Sequence, residues 1–343
     1  MAEDVYGAEI DLTPPSRKPG IRDVARRAGV SAATASRALR LSPAVTSQTR
    51  DRVWIAANEL GYSVPTTAER SSLVCVVSGS PKQWYFASAI TAIEERLSAA
   101  DHRLELHNLG NPASRRAFFE RVLPRRQLDA LLVVSSSFDD HERRALDEVG
   151  VPVAVFGGFV PGRRCVGIDE VAAARMAVQH LIGLGHREIG MIAFDPYDQV
   201  GRESTLARRQ GFELALAEAG LPLVSDWVVA AEGSRMAGGV RAAERLLTRP
   251  RLPTAIFAMS DELAIGALGA LRRAGLSLPG HMSLVGFDDH EMAPYVDLTT
   301  IRQPIREQGI EVARLLLDGE TTSDVKTELP VRLMVRGTTG PVR

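Results

Sequence analysis

The run Ser31-Ala32-Ala33-Thr34-Ala35-Ser36-Arg37 sets small hydroxyl and methyl side chains beside one guanidinium. That set of groups can read a nucleic acid. The fork of Arg37 can donate two hydrogen bonds to O6 and N7 of a guanine. The hydroxyls of Thr34 and Ser36 can reach phosphate oxygens or base edges. Ala32 and Ala33 offer only methyl contact, which suits the C5-methyl group of thymine. The plainer reading of Arg37 is a solvated charge.

The elements around the run decide between these readings. Ile21, Val24, Ala25 and Ala28 form one apolar face that Gly29 stops. Ser31 can cap a second helix, with Ala35, Ala38 and Leu39 inward. Thr46 can cap a third, with Val53, Ile55, Ala56 and Leu60 as apolar positions and Gly61 as its stop. Ala28-Gly29-Val30 is the tight turn between the first two. Three short helices with a glycine turn make a helix-turn-helix over residues 20–62. Its second helix would enter a major groove with Ser31, Ala32, Ala33, Thr34, Ser36 and Arg37 near DNA.

Charge is distributed accordingly. The chain has a net charge of -1, but residues 17–63 hold nine Arg or Lys against three Asp or Glu, a net +6. The remainder holds 32 against 39, a net -7. A basic module on a mildly acidic body is the asymmetry expected of a nucleic-acid binder.

From Leu73 onward the pattern changes. Continuous apolar runs (Leu73–Val77, Leu131–Val134, Val153–Phe156, Ile189–Phe194, Ala255–Met259, Ser283–Phe287) alternate with amphipathic helices. The helices include Ala87–Ala100, Ala172–Leu184, Arg208–Ala219, Val240–Leu247 and Asp261–Ala274. This predicts an α/β fold of doubly wound parallel sheets. Some 270 residues suit two lobes better than one. Ligands of such sheets sit beyond the carboxyl ends of the strands, so the cleft between lobes is the expected binding site.

The same segments resemble the LacI/GalR regulators. Residues Ile21 to Leu39 look like the family's N-terminal signature, and Val45-Thr46, Thr49-Arg50, Arg52-Val53 and Glu59-Leu60-Gly61-Tyr62 continue it. Leu184-Gly185-His186-Arg187, Val285-Gly286-Phe287-Asp288-Asp289, Leu298 to Pro304 and Leu333 to Thr339 also resemble family motifs. The likeness spans roughly residues 20–340. It implies base-reading roles for Ala32, Ala33 and Arg37, and phosphate contacts for Thr34 and Ser36. Arg40, where the family usually has Asn, would add a further phosphate contact. Gly20 stands in place of a capping Thr.

The resemblance further implies a two-lobed, periplasmic-binding-protein-like core over residues 73–340 that binds a small sugar-like effector. Arg208 matches the family's ligand arginine and Asp288 its ligand aspartate. The plainer readings are a helix-surface arginine and a turn aspartate. Tyr85 and Phe86 match an aromatic pair after the first strand, although core packing suits Phe86 nearly as well. Ser260 replaces a usual Asn, Gly157 a usual Asp, and Ser234 falls near a usual aromatic. The pocket thus keeps two charged anchors and loses several sugar-reading groups, which leaves a weakened effector response as the alternative. Residues 63–72 are several residues shorter than the family's hinge. No leucine stands at the wedge position and only Arg70 matches, so a tether with little minor-groove insertion is expected.

Other expectations complete the picture. Residues 1–19, with Pro14-Pro15, read as a disordered tail. An operator with two half-sites asks for a homodimer, with Ala87–Ala100 and Asp261–Ala274 at its interface. No leucine heptad follows Gly319, so a coiled-coil tetramer is not expected. Double-stranded operator DNA, a sugar-like small molecule and a second copy are the expected partners. No membrane partner, metal or cofactor is expected. The acidic start without an apolar stretch predicts a cytoplasmic protein, and Cys75 and Cys165 read as buried free thiols. The cleft would also suit a transport-type binding protein, but the basic module argues against that. An enzyme is disfavoured too. The sequence has no Gly-x-Gly-x-x-Gly after the first strand, no Walker lysine motif and no nucleophile elbow. His186 is expected to be structural.

Overall fold

A computed structural model describes residues 20–39, 45–60, 62, 73–125, 128–134, 138–195, 201–232, 235–318 and 324–342. The expectations for the 1–19 tail, Arg40, the 63–72 tether and Ser234 lie outside these residues. The chain divides into two compact units, residues 1–71 and 72–343.

The first unit holds three helices, α1 (Ile21–Ala28), α2 (Ala32–Leu39) and α3 (Ser47–Glu59). Each boundary has a local cause. Asp23 accepts the N–H of Gly20 at 2.9 Å, the half of a capping box that a glycine at the cap position can still make. Gly29 ends α1 at φ +67°, a conformation that favours glycine. Ser31 Oγ accepts the Thr34 N–H at 3.1 Å and starts α2. Thr46 Oγ1 accepts the Thr49 N–H at 3.4 Å and starts α3.

Val24, Ala25, Ala28, Ala35, Ala38, Leu39, Val45, Val53, Ala56 and Ala57 form the core of this unit. The sequence reading of α3 needs one correction. Ile55 is 58% exposed, and Ala57 is buried in its stead. At 100° per residue, positions 53, 56, 57 and 60 share a stripe while position 55 faces away.

The second unit runs β1 (Leu73–Ser78), α4 (Trp84–Ser98), β2 (Arg103–Asn108), α5 (Pro112–Ala117), β3 (Ala130–Val134), α6 (Asp140–Glu148), β4 (Val153–Phe156) and β5 (Arg164–Gly167). It continues as α7 (Glu170–Gly183), β6 (Ile189–Ala193), α8 (Arg202–Glu218), β7 (Val228–Ala230), α9 (Arg235–Leu247), β8 (Ala255–Ala258), α10 (Asp261–Arg273) and β9 (Ser283–Asp288). It closes with β10 (Thr299–Arg302), α11 (Ile305–Leu317), β11 (Val325–Glu328) and β12 (Arg332–Met334).

Two sheets form two lobes. The first has order β11-β5-β4-β3-β1-β2, with every pair parallel. The second has order β12-β10-β9-β8-β6-β7 and is parallel except where β12 runs against β10. Successive residues of β1 bury on opposite faces: Val74 and Val76 join one core cluster, Cys75 and Val77 another. Strands covered on both faces are why these runs read as unbroken apolar stretches. Among the described residues the chain passes between lobes after β5, after β10 and after β11. Burial pushes the Cys75 thiol up to about 12, so it remains an unreactive core group.

Candidate functional site

In the first unit, α2 divides cleanly. Ala35, Ala38 and Leu39 are buried, while Ser31, Ala32, Ala33 and Arg37 are exposed and Thr34 and Ser36 half-buried. Ser31 Oγ also contacts Thr34 Oγ1 at 2.8 Å, so these two hydroxyls are held together at the helix start. The residues expected to meet DNA thus lie on the side of α2 that the core leaves uncovered.

In the second unit, a cleft of about 430 Å³ opens between the lobes. Its walls come from sheet ends and helix starts. Gln83, Tyr85 and Phe86 begin α4, and Ser260 and Glu262 begin α10. Arg208 comes from α8, Arg235 opens α9, and Asp288 ends β9. All five effector candidates, Tyr85, Phe86, Arg208, Ser260 and Asp288, therefore line one cavity.

Arg208 is 5% exposed and is not a helix-surface arginine. The sequence placed it at the start of its helix, but α8 begins at Arg202, so Arg208 sits in the second turn and faces inward. Its Nε donates to Glu170 Oε2 at 2.8 Å and its Nη2 to Glu170 Oε1 at 3.3 Å. Nη1 donates to the Met259 carbonyl and lies 3.7 Å from Asp288 Oδ1. The guanidinium carbon stands 3.8 Å from the centre of the Phe287 ring. Three of the five N–H groups thereby donate within the protein, and the other two make no hydrogen bond among the described residues. Burial alone would lower the arginine's pKa, but Glu170 and Asp288 outweigh it and raise it. The guanidinium stays charged.

Glu170 was not singled out in the sequence. Its position has two causes. Asp169 accepts the Ala172 N–H at 2.9 Å and so fixes Glu170 as the first residue of α7. Gly211 lets α8 press against α7, since a Cβ there would stand 2.3 Å from the Val171 carbonyl oxygen. A carboxylate at a helix N-terminus thus meets an arginine on the neighbouring helix.

Asp288 is 7% exposed, with φ at +117°, a strained conformation for a side-chain-bearing residue. Gln303 Nε2 donates to its Oδ1 at 2.7 Å. Burial pushes its pKa up to about 7, against the pull of Arg208 and Gln303. Its neighbour Asp289 is held by Arg336 Nη2 at 2.6 Å, and Arg336 also donates to the Leu298 carbonyl at 2.7 Å. The motifs at Asp288-Asp289, Leu298–Pro304 and Leu333–Thr339 thus converge to hold one turn in place.

The other candidates are more ordinary. Ser260 Oγ caps α10 by accepting the Leu263 N–H at 3.3 Å. Phe86 is 3% exposed and belongs to the first lobe's core, although it also lines the cleft. Tyr85 packs on Phe86 and Phe156, with ring centres 5.3 and 5.7 Å away. Gly157, at φ +74°, occupies a turn where a side chain would be strained. Two ties cross the cleft mouth: Arg235 Nε donates to Gln83 Oε1 at 2.6 Å, and the rings of Trp84 and His290 lie 4.5 Å apart. Gln83, Arg235 and Glu262 escaped sequence reasoning because single polar residues at helix starts carry no periodic signal.

His186 is structural. Its Nδ1 lies 3.0 Å from Thr254 Oγ1, and its Nε2 lies 2.9 Å from Ser283 Oγ and 3.1 Å from the Gly340 carbonyl oxygen. Among the described residues, no group of His, Cys, Asp or Glu is placed to hold a metal ion, and no helix is long and apolar enough to cross a membrane.

Comparison with known proteins agrees with this geometry. Residues 20–64 match the model of the bacterial regulatory proteins, lacI family, and residues 178–339 match a periplasmic binding protein-like domain. The HTH-type transcriptional regulator GalS of Salmonella typhimurium (strain LT2) is 36% identical over 310 residues, covering 87% of this chain and 89% of that protein. The HTH-type transcriptional repressor PurR of Yersinia pestis bv. Antiqua is 33% identical with the same coverage. Among solved structures, the regulator CelR in complex with cellobiose superposes with a TM-score of 0.68 at 32% identity, over 93% of this chain and 99% of that one. The lac repressor dimer bound to operator and the anti-inducer ONPF superposes with a TM-score of 0.75 at 24% identity, over 94% of this chain and 100% of that one, and shows the fold. On the residues matched and the lengths covered, the chain belongs to the LacI family of bacterial transcriptional regulators.

Proposed function

We propose that this chain is a sequence-specific operator-binding repressor whose affinity for DNA is set by a small sugar-like molecule in the cleft between its lobes. The observation that carries this reading is the conjunction of two features. One is an uncovered α2 face ending in Arg37. The other is a buried cleft with a charged anchor, Arg208, that retains two N–H groups for a ligand. Arg37 reads a guanine, Thr34 and Ser36 hold phosphates, and Ala32 and Ala33 meet thymine methyl groups. CelR holds cellobiose and a relative from Enterococcus faecium holds ribose, which supports a sugar as the effector class. The chain acts by binding and not by catalysis, as a homodimer on a two-fold operator in the cytoplasm.

The effector acts by favouring one arrangement of the lobes over another, and the arrangement it favours changes DNA affinity. One observation favours a second reading in which the response is weak. Glu170 already occupies the fork of Arg208, and two ties already span the cleft mouth.

The test is selection of duplexes from a random pool by the full-length protein, then titration of the winning duplex with and without cellobiose, galactose and ribose. Salt-sensitive specific binding that one of these sugars shifts severalfold is the expected result. Specific binding that none of them moves would support the weak-response reading.

A further inference from the structure

Tyr85 and Ser204 line a second compartment of the cleft, of about 490 Å³, on whose far side stand Phe159 and the glycines Gly157 and Gly158. Its polar wall is unlike that of the first. Gln303, Gln308, Glu170 and Glu203 line it, and no lysine or arginine does among the described residues.

Gln308 is fully buried on α11, and neither Nε2 nor Oε1 of its carboxamide has a hydrogen-bond partner. The Oε1 of Gln303, itself 4% exposed, has none either, because only its Nε2 is committed to Asp288. A buried amide that makes no hydrogen bond is costly, and such groups in native proteins ask for an explanation. Two of them facing one cavity are explained if a ligand supplies the missing partners.

We propose that this compartment is the specificity subsite of the effector, read by the Gln308 carboxamide with Gln303 Oε1 beside it, and that it takes a neutral polyhydroxylated ring. The deduction rests on the reading of the cleft as an effector site and narrows its chemistry. Gln308 offers two N–H donors and one carbonyl acceptor, and Gln303 adds a second acceptor. A hydroxyl both donates and accepts, so a pair of hydroxyls on a ring satisfies all of these atoms. Tyr85 and Phe159 flank the space with apolar surface suited to a sugar's C–H faces. Glu170 is neutralised by Arg208, but Glu203 stands on this wall with no lysine or arginine lining the compartment among the described residues, so a carboxylate or phosphate is disfavoured there against a neutral ring. The compartment also abuts two of the passages between lobes, at Ile168 and at Gln303-Pro304. A ring bound there touches the segments that must flex when the lobes move.

The experiment uses the full chain and two variants: Gln308→Met keeps the size and removes the amide, and Gln308→Asn keeps an amide on a shorter arm. Thermal melting is read first without ligand, then calorimetry and melting with cellobiose, galactose, ribose, gluconate and glucose 6-phosphate. Without ligand, Gln308→Met should melt about 2–6 °C higher, because it removes an unpaired buried group. A neutral sugar should stabilise the native protein, bind Gln308→Met at least about tenfold more weakly, and bind Gln308→Asn with an intermediate affinity. The two acids should not stabilise it. A lower melting temperature for Gln308→Met, equal sugar affinity in native protein and Gln308→Met, or preferential binding of either acid would overturn the subsite and leave the effector reading standing. Binding of no sugar by the native protein, while it still retards its operator, would overturn both.

Discussion

At the scale of single residues, the proposed function rests on Arg37 and on the group formed by Glu170, Arg208 and Asp288. Arg37 is exposed, so its removal should leave folding intact. Arg37→Ala is expected to weaken specific operator binding by about 1–3 kcal/mol, roughly 5- to 150-fold, and to relax the preference at one base pair. Fluorescence anisotropy on matched and single-mismatch duplexes checks this. Loss of folding, or an unchanged mismatch preference, would count against it.

Two buried carboxyls give a second expectation at this scale. Burial, reinforced by the charge of Asp288, pushes Asp261 up to about 8, although it accepts hydrogen bonds from Thr300 Oγ1 at 2.6 Å and from the His290 N–H at 2.7 Å. Asp288 itself reaches about 7. Both values lie above the ordinary carboxyl value of 3.8. The folded state therefore keeps protons that the unfolded chain releases. That contribution is complete below about pH 4 and is lost as pH rises toward 7–8, at up to about 1.4 kcal/mol per pH unit for each group. His180, His186 and His290 act in the opposite sense, because burial lowers their pKa values and acid favours the unfolded chain. Comparing Asp261→Asn with the native protein isolates one carboxyl. The variant should lose less stability between pH 5 and pH 8, and an unchanged slope in denaturant melts would refute the assignment.

At the scale of elements, helix starts and helix crossings position the groups that act. The cap at Ser31 sets where α2 begins and hence which residues it presents. Ser31→Ala should cost the first unit about 1 kcal/mol and raise hydrogen exchange at the amide of Thr34. The crossing of α7 and α8 depends on Gly211. Gly211→Ala should destabilise the core by about 1–3 kcal/mol, a fall of roughly 2–10 °C in melting temperature. It should also weaken sugar binding, by drawing Glu170 away from Arg208. An unchanged melting temperature would show that the crossing has slack.

Much at this scale was legible in the sequence. The apolar runs gave six strands to within a residue or so, because strands buried on both faces are written as unbroken valine, leucine and isoleucine. Both caps of α2 and α3 could be read from Ser31 and Thr46. What escaped was polar or short. The edge strand β2 (Arg-Leu-Glu-Leu-His-Asn) is mostly exposed and has no apolar run. α11 follows the motif at Leu298–Pro304 and adds no motif of its own, so nothing local marks Gln308. Glu170 and Gln308 are invisible in principle to a local reading. Each becomes informative only when a partner from a distant element is, or fails to be, brought to it.

At the scale of the whole molecule, the chain joins a small helical unit to a two-lobed core whose strands pass between lobes at three places among the described residues. Two of these passages end at the cleft. β5 leads through Asp169 to Glu170, and β10 leads through Gln303 to α11 and Gln308. A ligand in the cleft therefore contacts the segments that connect the lobes, and the three resemblance motifs of the second lobe converge on the turn that carries Asp288. The same architecture explains why family likeness was legible along the whole chain while the effector was not. The motifs mark turns that hold the fold, whereas the cleft is lined largely by single polar residues that carry no motif.

The central claim is that a guanidinium on α2 and an occupied cleft act on one equilibrium. The direct measurement is anisotropy titration of the selected operator by the native protein and by Arg208→Met, each with and without the neutral sugar that most raises the native melting temperature. The account predicts that the sugar shifts native operator affinity severalfold, that Arg208→Met still binds the operator, and that the sugar no longer moves it. Operator affinity that the sugar changes equally in both proteins would contradict the account.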